Sequence, residues 1–123
     1  MAGLRIEWQS GIHEGQRIIK LAGPLTLATF FEFQEELRRA PTAVTIIDMA
    51  DVSHMDSMAL GALLGFHVSC HKNRRKYGMI GLTNRLQTLL TVSGVGGVLL
   101  TYASLREAEE DLYRAAASAA GQG

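Results

Sequence analysis

The segment AVTIIDMADVSHMDSMALGALLG, residues 43–65, decides the fold, because it changes from strand-forming to helix-forming residues within one stretch. Its first eight residues are mostly apolar or β-branched and lack alternation, which is typical of a central strand covered on both faces. The segment predicts a strand ending near Asp48, a polar connection, and a long helix over residues 57–75. Gly61 and Gly65 are expected to permit close packing of this helix on a sheet. Its predicted inner face comprises Leu60, Leu63, Leu64, His67 and Val68.

The residues before this segment predict a hairpin followed by a helix. Residues 4–9 alternate apolar and polar side chains, and the turn GIHEG leads to a second strand over residues 16–23. The next helix is expected to be capped by Thr26 and to stop at Pro41. Its predicted buried face comprises Leu27, Phe30, Phe31, Gln34 and Leu37.

The residues after the segment predict two more strands and two more helices. Residues 78–82 indicate a short buried strand, and Thr83 or Asn84 is expected to cap the helix that follows. Residues 98–102, VLLTY, predict a last strand. A capping box of the form S-x-x-E, beginning at Ser104, predicts the start of the final helix.

Strands and helices alternate in the predicted order β-β-α-β-α-β-α-β-α. This order predicts an α/β fold with a mixed, mostly parallel sheet, an N-terminal antiparallel hairpin and about four helices. The length of 123 residues suits a single domain over residues 1–123. The small residues of the tail, 115–123, are expected to fray.

Composition and charge argue against several classes of protein. The chain has 12 basic and 12 acidic residues, so its formal net charge is zero, which disfavours a nucleic-acid binder. The single cysteine, Cys70, excludes an intramolecular disulfide and a multi-cysteine metal site, and we expect a buried thiol. No apolar stretch approaches the roughly 20 residues of a membrane span, and no signal peptide is visible. We therefore expect a cytoplasmic protein without a membrane span.

Polar residues cluster between the predicted strand and the predicted long helix. In open α/β sheets, functional residues gather at the carboxyl ends of strands, so this connection is the candidate site. One interpretation is purely structural, with Asp56 or Ser57 as the helix N-cap and Asp51 and Ser53 as turn formers. The residues of the connection are Asp51, Ser53, His54, Asp56 and Ser57.

Two further interpretations, a serine hydrolase and a phosphoaspartate site, have less support from the sequence than the structural one. In a small serine hydrolase, Ser57 would be the nucleophile, His54 the base, and Asp51 or Asp56 would orient the base. The strained elbow G-x-S-x-G of such enzymes is absent. A phosphoaspartate site at Asp48 would need an acidic pair after the first strand, where the sequence has only SGIHEG. A phosphate-binding loop of the form G-x-x-x-x-G-K-[ST] does not occur.

A further interpretation is a protein-binding switch at Ser57. A serine at the start of an exposed helix is accessible to a kinase, and phosphorylation adds about −1.5 to −2 charges. The helix dipole tolerates that charge, so the fold need not break. A docked partner would meet a new dianion beside Asp56.

The stretch VTIIDMADVSHMDSMALGALLG, residues 44–65, resembles a STAS domain, and more narrowly a bacterial anti-sigma factor antagonist. GMIGLTNRLQTLLTVSGV (residues 78–95) and SLREAEEDL (residues 104–112) share the resemblance. It covers almost the whole chain, from LRIEW at residues 4–8 to the last helix, and implies the family's fold.

The family's central motif is Asp, phosphorylatable Ser, a small residue, Gly and Leu. Residues 56–60 read DSMAL, so Ser57 matches the phosphorylated serine. Met58 replaces the small residue, and Ala59 replaces the glycine. The family's earlier pattern G-E-L-D appears as GPLT, with Thr26 in place of the aspartate.

The resemblance implies a regulator that is not itself an enzyme and holds no cofactor or metal. It would bind an anti-sigma factor serine kinase, which uses ATP to phosphorylate Ser57, and a phosphatase would reset it. Met55 and Leu60 are expected in the core. One alternative is a non-phosphorylated STAS scaffold in a stress-signalling or transport complex, and a remote one is the serine hydrolase. The expected partner-binding residues are Leu25, Thr26, His54, Asp56, Ser57 and Met58.

Overall fold

A four-stranded mixed sheet with helices on both faces organises the chain, which confirms the predicted α/β architecture. The structure, a computed structural model, describes residues 3–39 and 43–122, with side chains as far as residue 114. The strands are β1 (Arg5–Ser10), β2 (Gln16–Leu25), β3 (Val44–Met55) and β4 (Lys76–Ile80). The helices are α1 (Phe30–Arg38), α2 (Ser57–Lys72), α3 (Asn84–Val92) and α4 (Leu105–Gln122).

The strands follow the order β1-β2-β3-β4 across the sheet. β1 and β2 form the predicted antiparallel hairpin, whereas β3 runs parallel to both β2 and β4. Ile47 of β3 pairs with Ile19 of β2 and with Met79 of β4, and it lies in the core cluster to which α1, α2 and α3 contribute. Its neighbour Ile46 faces the opposite cluster, which α4 covers. The prediction of a central strand covered on both faces is therefore confirmed.

β3 is longer than the sequence predicts, because it continues beyond Asp48 to Met55. The reason is β2, which runs through Gly23 and Pro24 to Leu25 and keeps pairing with β3 across two register shifts. A neighbouring strand of this length supplies backbone partners to residues that local signals assign to a turn. Three residues expected in the connection therefore lie on β3, namely Asp51, Ser53 and His54.

The predicted last strand over residues 98–102 is wrong, because this segment makes one isolated bridge to β4. The N–H of Met79 donates to the carbonyl of Leu100 at 2.9 Å, and the N–H of Tyr102 donates back to the carbonyl of Met79 at 2.8 Å. The segment leaves a tight turn in which two successive N–H groups donate to the carbonyl of Val95. Val98 and Leu99 therefore belong to this turn, and too few residues remain beside β4 to form a continuous ladder of backbone hydrogen bonds with it.

The predicted buried face of α1 is partly wrong. Leu27 and Phe31 are 62% and 76% exposed, whereas Phe33 and Leu37 are buried at 0% and 4%. A 3₁₀ turn over Leu27–Thr29 precedes the helix. Because a 3₁₀ turn has about 3.0 residues rather than 3.6, it shifts the phase of the helix and turns Phe31 outward.

The start of this turn contains the cap predicted for the helix. Thr26 is the N-cap of the 3₁₀ turn, and its N–H donates to Oγ1 of Thr29 at 3.0 Å. At the other end, the N–H of Arg39 closes α1 on the carbonyl of Glu35. The stop predicted at Pro41 lies outside the described residues.

α2 ends at Lys72, three residues before the predicted end at residue 75. Arg74 has a left-handed φ of 57°, which turns the chain into β4. Gly61 and Gly65 were expected to face the sheet but are exposed, and a Cβ built on either would meet nothing within 4 Å. Val68, also expected inside, is 50% exposed. The buried residues of α2 are Ala59, Leu60, Ala62, Leu63, Phe66 and the predicted buried thiol Cys70.

The caps of the last two helices follow the sequence closely. Oγ1 of Thr83 accepts from the N–H of Leu86 at 3.2 Å, which selects Thr83 as the cap of α3. Oγ of Ser104 accepts from the N–H of Glu107 at 3.1 Å, while the Glu107 carboxylate accepts from Ala103 rather than completing the box on Ser104. Within the described residues, no helix has the length and apolar character needed to cross a membrane. The fraying of residues 115–123 stays a prediction.

The phase of α1 can be checked by a pair of substitutions. Phe33→Ala is expected to lower the free energy of unfolding by about 3–5 kcal/mol, because it empties a fully buried site. The matched change Phe31→Ala should stay within about 0.5 kcal/mol, because that ring faces solvent. Urea unfolding monitored by circular dichroism measures both, and equal losses would contradict the assigned face.

Candidate functional site

The carboxylate of Asp56 joins two separate segments at the start of α2. Its Oδ1 accepts from the N–H groups of Met58 and Ala59 at 3.0 and 3.2 Å, which makes Asp56 the helix N-cap. Its Oδ2 accepts from the N–H of Leu27, in the turn after β2, at 2.9 Å. The N–H of Asp56 in turn donates to the carbonyl of Leu25 at 3.0 Å. The loop after β2 and the first turn of α2 are therefore held against each other.

These hydrogen bonds also set the ionisation of Asp56. Desolvation alone would raise the pKa of its carboxyl group, but the donating N–H groups of Leu27, Ala59 and Met58 outweigh that effect. The pKa of Asp56 consequently lies below its ordinary value. The group is negatively charged near neutral pH and places a fixed negative charge beside Ser57.

Ser57 is the first residue of α2 and is exposed. Its backbone position is set by the cap immediately before it. No hydrogen bond engages its hydroxyl within the part of the chain that the structure describes. A hydroxyl on an ordered and exposed helix start can meet a modifying enzyme without local unfolding.

Three exposed apolar side chains lie on the segments that adjoin the Asp56 carboxylate, and we call them the apolar patch: Leu27, Phe31 and Met58. The backbones of Leu27 and Met58 are close, because both N–H groups bind the same carboxylate. Phe31 follows Leu27 by four residues. Their exposed fractions are 62%, 76% and 40%, respectively.

The neighbouring residues Leu25 and Thr26, both expected to contact a partner, differ in their exposure to solvent. Leu25 is fully buried, so its side chain belongs to the core, and its assignment as a contact is corrected. Thr26, next in the chain, is half-buried at the edge of the site. Met55 and Leu60 are buried at 7% each, which confirms their prediction as core residues.

The arrangement needed for a serine hydrolase is not assembled. Nδ1 of His54 lies 3.3 Å from Oγ of Ser53, its neighbour on β3. Asp56, the candidate orienting group, is engaged by backbone N–H groups at both oxygens. Within the described residues, no hydrogen bond joins His54 to Ser57.

The remaining polar groups do not form a metal or phosphoaspartate site. Oδ1 of Asp48 accepts from the N–H of Ala50 at 3.0 Å, so it engages the backbone of its own strand at a register shift between β2 and β3. In the described part of the chain, no cluster of three or more His, Cys, Asp or Glu residues could hold a metal ion.

A groove beside the site lies between the end of β3 and α3. His54 and Met55 line one side, and Arg85, Leu89 and Val92 line the other, around a volume of about 630 Å³. Neither this groove nor the exposure of Leu27 and Phe31 is predicted from the sequence. A signal for the latter was present, since Phe33 and Leu37 also form an apolar pair four residues apart.

Comparisons with known proteins identify a family model and named relatives. A family model described as the STAS domain matches residues 7–108. An anti-sigma-B factor antagonist of Staphylococcus epidermidis is 28% identical over 86 residues, covering 68% of this chain and 80% of that protein.

Solved structures show the same fold at low sequence identity. A putative anti-sigma factor antagonist from Thermotoga maritima has a TM-score of 0.77 at 14% identity, covering 86% of this chain and 92% of that one. The anti-sigma factor antagonist SpoIIAA in its unphosphorylated form has a TM-score of 0.70 at 16% identity, covering 89% and 96%.

The role of the Asp56 carboxylate predicts a stability loss that depends on pH. Asp56→Ala should lower the free energy of unfolding by about 0.5–2 kcal/mol at pH 7, because it removes an N-cap. A carboxyl group with a lowered folded-state pKa stabilises above its unfolded pKa, and this contribution is lost as pH falls through the folded value. The difference between the wild type and the variant should therefore shrink below about pH 4.

Chemical denaturation at a series of pH values measures this difference. Asp51→Ala, which removes an exposed carboxylate from β3, is the matched control and should change stability little. A loss that is independent of pH, or equal in both variants, would contradict the assigned role.

Proposed function

This chain belongs to the STAS domain family, and from that premise we propose that it is an anti-sigma factor antagonist switched at Ser57. In its unphosphorylated form it binds an anti-sigma factor that is also a serine kinase. Phosphorylation of Ser57 ends the binding, and a phosphatase restores it. The observation that carries the proposal is the exposed hydroxyl on the first turn of α2, fixed by the Asp56 cap and bordered by the apolar patch.

The chemistry of the switch belongs to the kinase. Oγ of Ser57 attacks the γ-phosphorus of ATP, ADP leaves, and the hydroxyl proton passes to a base of the kinase. ATP and magnesium are held by that enzyme. This chain contributes an ordered hydroxyl, because Asp56 holds both the helix start and the loop beside it.

The apolar patch supports a docking role around this hydroxyl. Exposed large apolar groups lose contact with water when a partner covers them, and such anchors carry much of the affinity of an interface. Leu27 lies on the 3₁₀ turn after β2, Phe31 on the first turn of α1 and Met58 on the first turn of α2. Thr26 and His54 are proposed contacts at the margin of the same surface.

Phosphorylation would act on binding more than on folding. The phosphate adds about −1.5 to −2 charges at a helix start, where the macrodipole favours negative charge. The nearest acidic neighbour, Asp56, already uses the N–H groups of Met58 and Ala59. The new dianion therefore stays largely at the surface, and a docked partner would have to desolvate it.

We further propose a cytoplasmic regulator in which residues 1–123 form one STAS domain that has no catalytic activity of its own. The engagement of the Asp56 carboxylate by backbone groups supports a binding protein over a hydrolase.

Phosphorylation is tested by intact-mass spectrometry with a cognate kinase and ATP. The wild type should gain one phosphate, Ser57→Ala should gain none, and Ser53→Ala should behave as the wild type. Ser53 is the matched control, because it is an exposed serine on the adjoining strand. A phosphate located on Ser53 would overturn the assignment of the switch.

Binding is tested by affinity capture from host lysate with three baits: wild type, Ser57→Asp and Ser53→Asp. The wild type and Ser53→Asp should retain an ATP-binding serine kinase, and Ser57→Asp should lose it. The two variants carry equal added charge, so a difference between them reports position. If all three retain the same non-kinase partner, the protein is a constitutive scaffold and the proposal fails.

The contribution of the apolar patch is tested with the captured kinase. Phe31→Ser should weaken binding by about tenfold or more, because an anchor at an interface is typically worth about 1–2 kcal/mol or more. Val68→Ser is the control, since Val68 is 50% exposed further along α2. Titration calorimetry measures both affinities, and an unchanged affinity for Phe31→Ser would exclude the patch from the interface.

A further inference from the structure

We propose that β1 is a self-recognition edge, through which two copies pair antiparallel and join their sheets into one of eight strands. The two-fold axis passes between the two Ile6 residues, which lie opposite each other. Arg5 of each copy then lies opposite Glu7 of the other. This inference does not rest on the proposed function, because it depends only on the edge strand and its charge pattern.

The outer edge of β1 has backbone groups available for such pairing. β1 is the first strand of the sheet and pairs only with β2 among the described residues. The N–H of Gly11 donates to the carbonyl of Gln16 at 3.1 Å, which places the backbone groups of Gly11 toward β2. Since backbone groups alternate sides along an antiparallel strand, those of Trp8 and Ile6 point to the open edge. These are the groups that a second strand would engage.

The charge pattern selects one register among the neighbouring ones. A two-fold axis at Ile6 places Arg5 opposite Glu7 twice, and opposite charges on facing strands stabilise pairing. An axis at Arg5 places Arg5 opposite itself, and an axis at Glu7 places Glu7 opposite itself. An axis at Trp8 places Glu7 opposite Gln9 and gains no ion pair. Only the axis at Ile6 combines outward-pointing backbone groups with opposite charges.

The other face of β1 supplies apolar cross-strand contacts in the same register. Leu4, Ile6 and Trp8 are half-buried, so each leaves apolar surface that the monomer does not cover. The axis at Ile6 pairs Ile6 with its own copy and Leu4 with Trp8. The indole of Trp8 is held in place, because its Nε1 donates to Oε2 of Glu36 at 2.7 Å. The cross-strand contact therefore costs little side-chain entropy.

β1 also lacks the usual devices that protect an edge strand. Neither proline nor lysine occurs in RIEWQS, and its register with β2 is continuous from Arg5 to Ser10, without a bulge. Its two charges have opposite signs, so they complement a second copy instead of repelling it.

Sedimentation equilibrium of the full chain, up to about 1 mM because an edge-to-edge interface is small, measures the dimer. The wild type should dimerise. Arg5→Glu and Glu7→Arg should each raise the dissociation constant by about tenfold or more, since two attractive pairs become repulsive. The double variant Arg5→Glu/Glu7→Arg should recover the wild-type constant, because the opposite charges are restored.

Mixing the two single variants gives a second, independent readout. One variant has two acidic groups on this face and the other has two basic groups, so an equimolar mixture should form heterodimers although neither variant dimerises alone. Circular dichroism controls for folding. This control is needed because Glu7 also lies opposite Lys20 of β2, whereas Arg5 lies opposite Ala22. If Glu7→Arg is destabilised, the comparison of Arg5→Glu with Glu7→Gln carries the test, and both should weaken the dimer.

A wild type that stays monomeric to about 1 mM would overturn the proposal. So would a dimer whose dissociation constant is unchanged by the single variants, or one that the double variant fails to restore.

Discussion

The Asp56 carboxylate is the contact on which the geometry of the site depends. A helix start leaves backbone N–H groups without partners, and a strand end leaves a loop to be anchored. One side chain meets both needs, because its two oxygens serve Met58 and Ala59 on one side and Leu27 on the other. The exposed serine and the apolar patch owe their relative positions to this shared anchor. The helix cap at Asp56 therefore also organises the surface that we propose to be functional.

The parts of the fold that the sequence predicts correctly are those set by local chemistry. The hairpin follows from the alternation in residues 4–9, and the start of α3 follows from the hydroxyl of Thr83. The errors arise where contacts with residues distant in the sequence determine the secondary structure. β3 extends to Met55 because β2 continues beside it. Residues 98–102 form no strand, because the first of them belong to the turn that closes on Val95 and only the last few residues reach β4.

For the candidate site too, the features set by local sequence could be predicted, whereas those set by distant residues could not. Asp56 and Ser57 stand out in sequence, because an acid followed by a hydroxyl before an apolar run is a strong helix-start signal. The exposure of Phe31 does not follow from spacing alone, because the pairs Leu27/Phe31 and Phe33/Leu37 both have helical spacing and the 3₁₀ turn before α1 decides which pair is buried. Leu25 was misassigned because it adjoins Thr26 in sequence, although the backbone points their side chains in opposite directions, one into the core.

The two edges of the sheet are unlike. On the β4 side, the bridge formed by residues 98–102 occupies the backbone of Met79, and the ring of Tyr102 lies over Gly78. A strand added at this edge would have to displace these contacts, whereas no strand other than β2 pairs with β1 among the described residues. Pairing of two β1 strands about a two-fold axis uses the uncovered edge of both copies, which favours an assembly of two copies over a fibre. Residues 98–102, which were predicted to form a strand, thus cover the β4 edge near Met79 and disfavour the addition of further copies there.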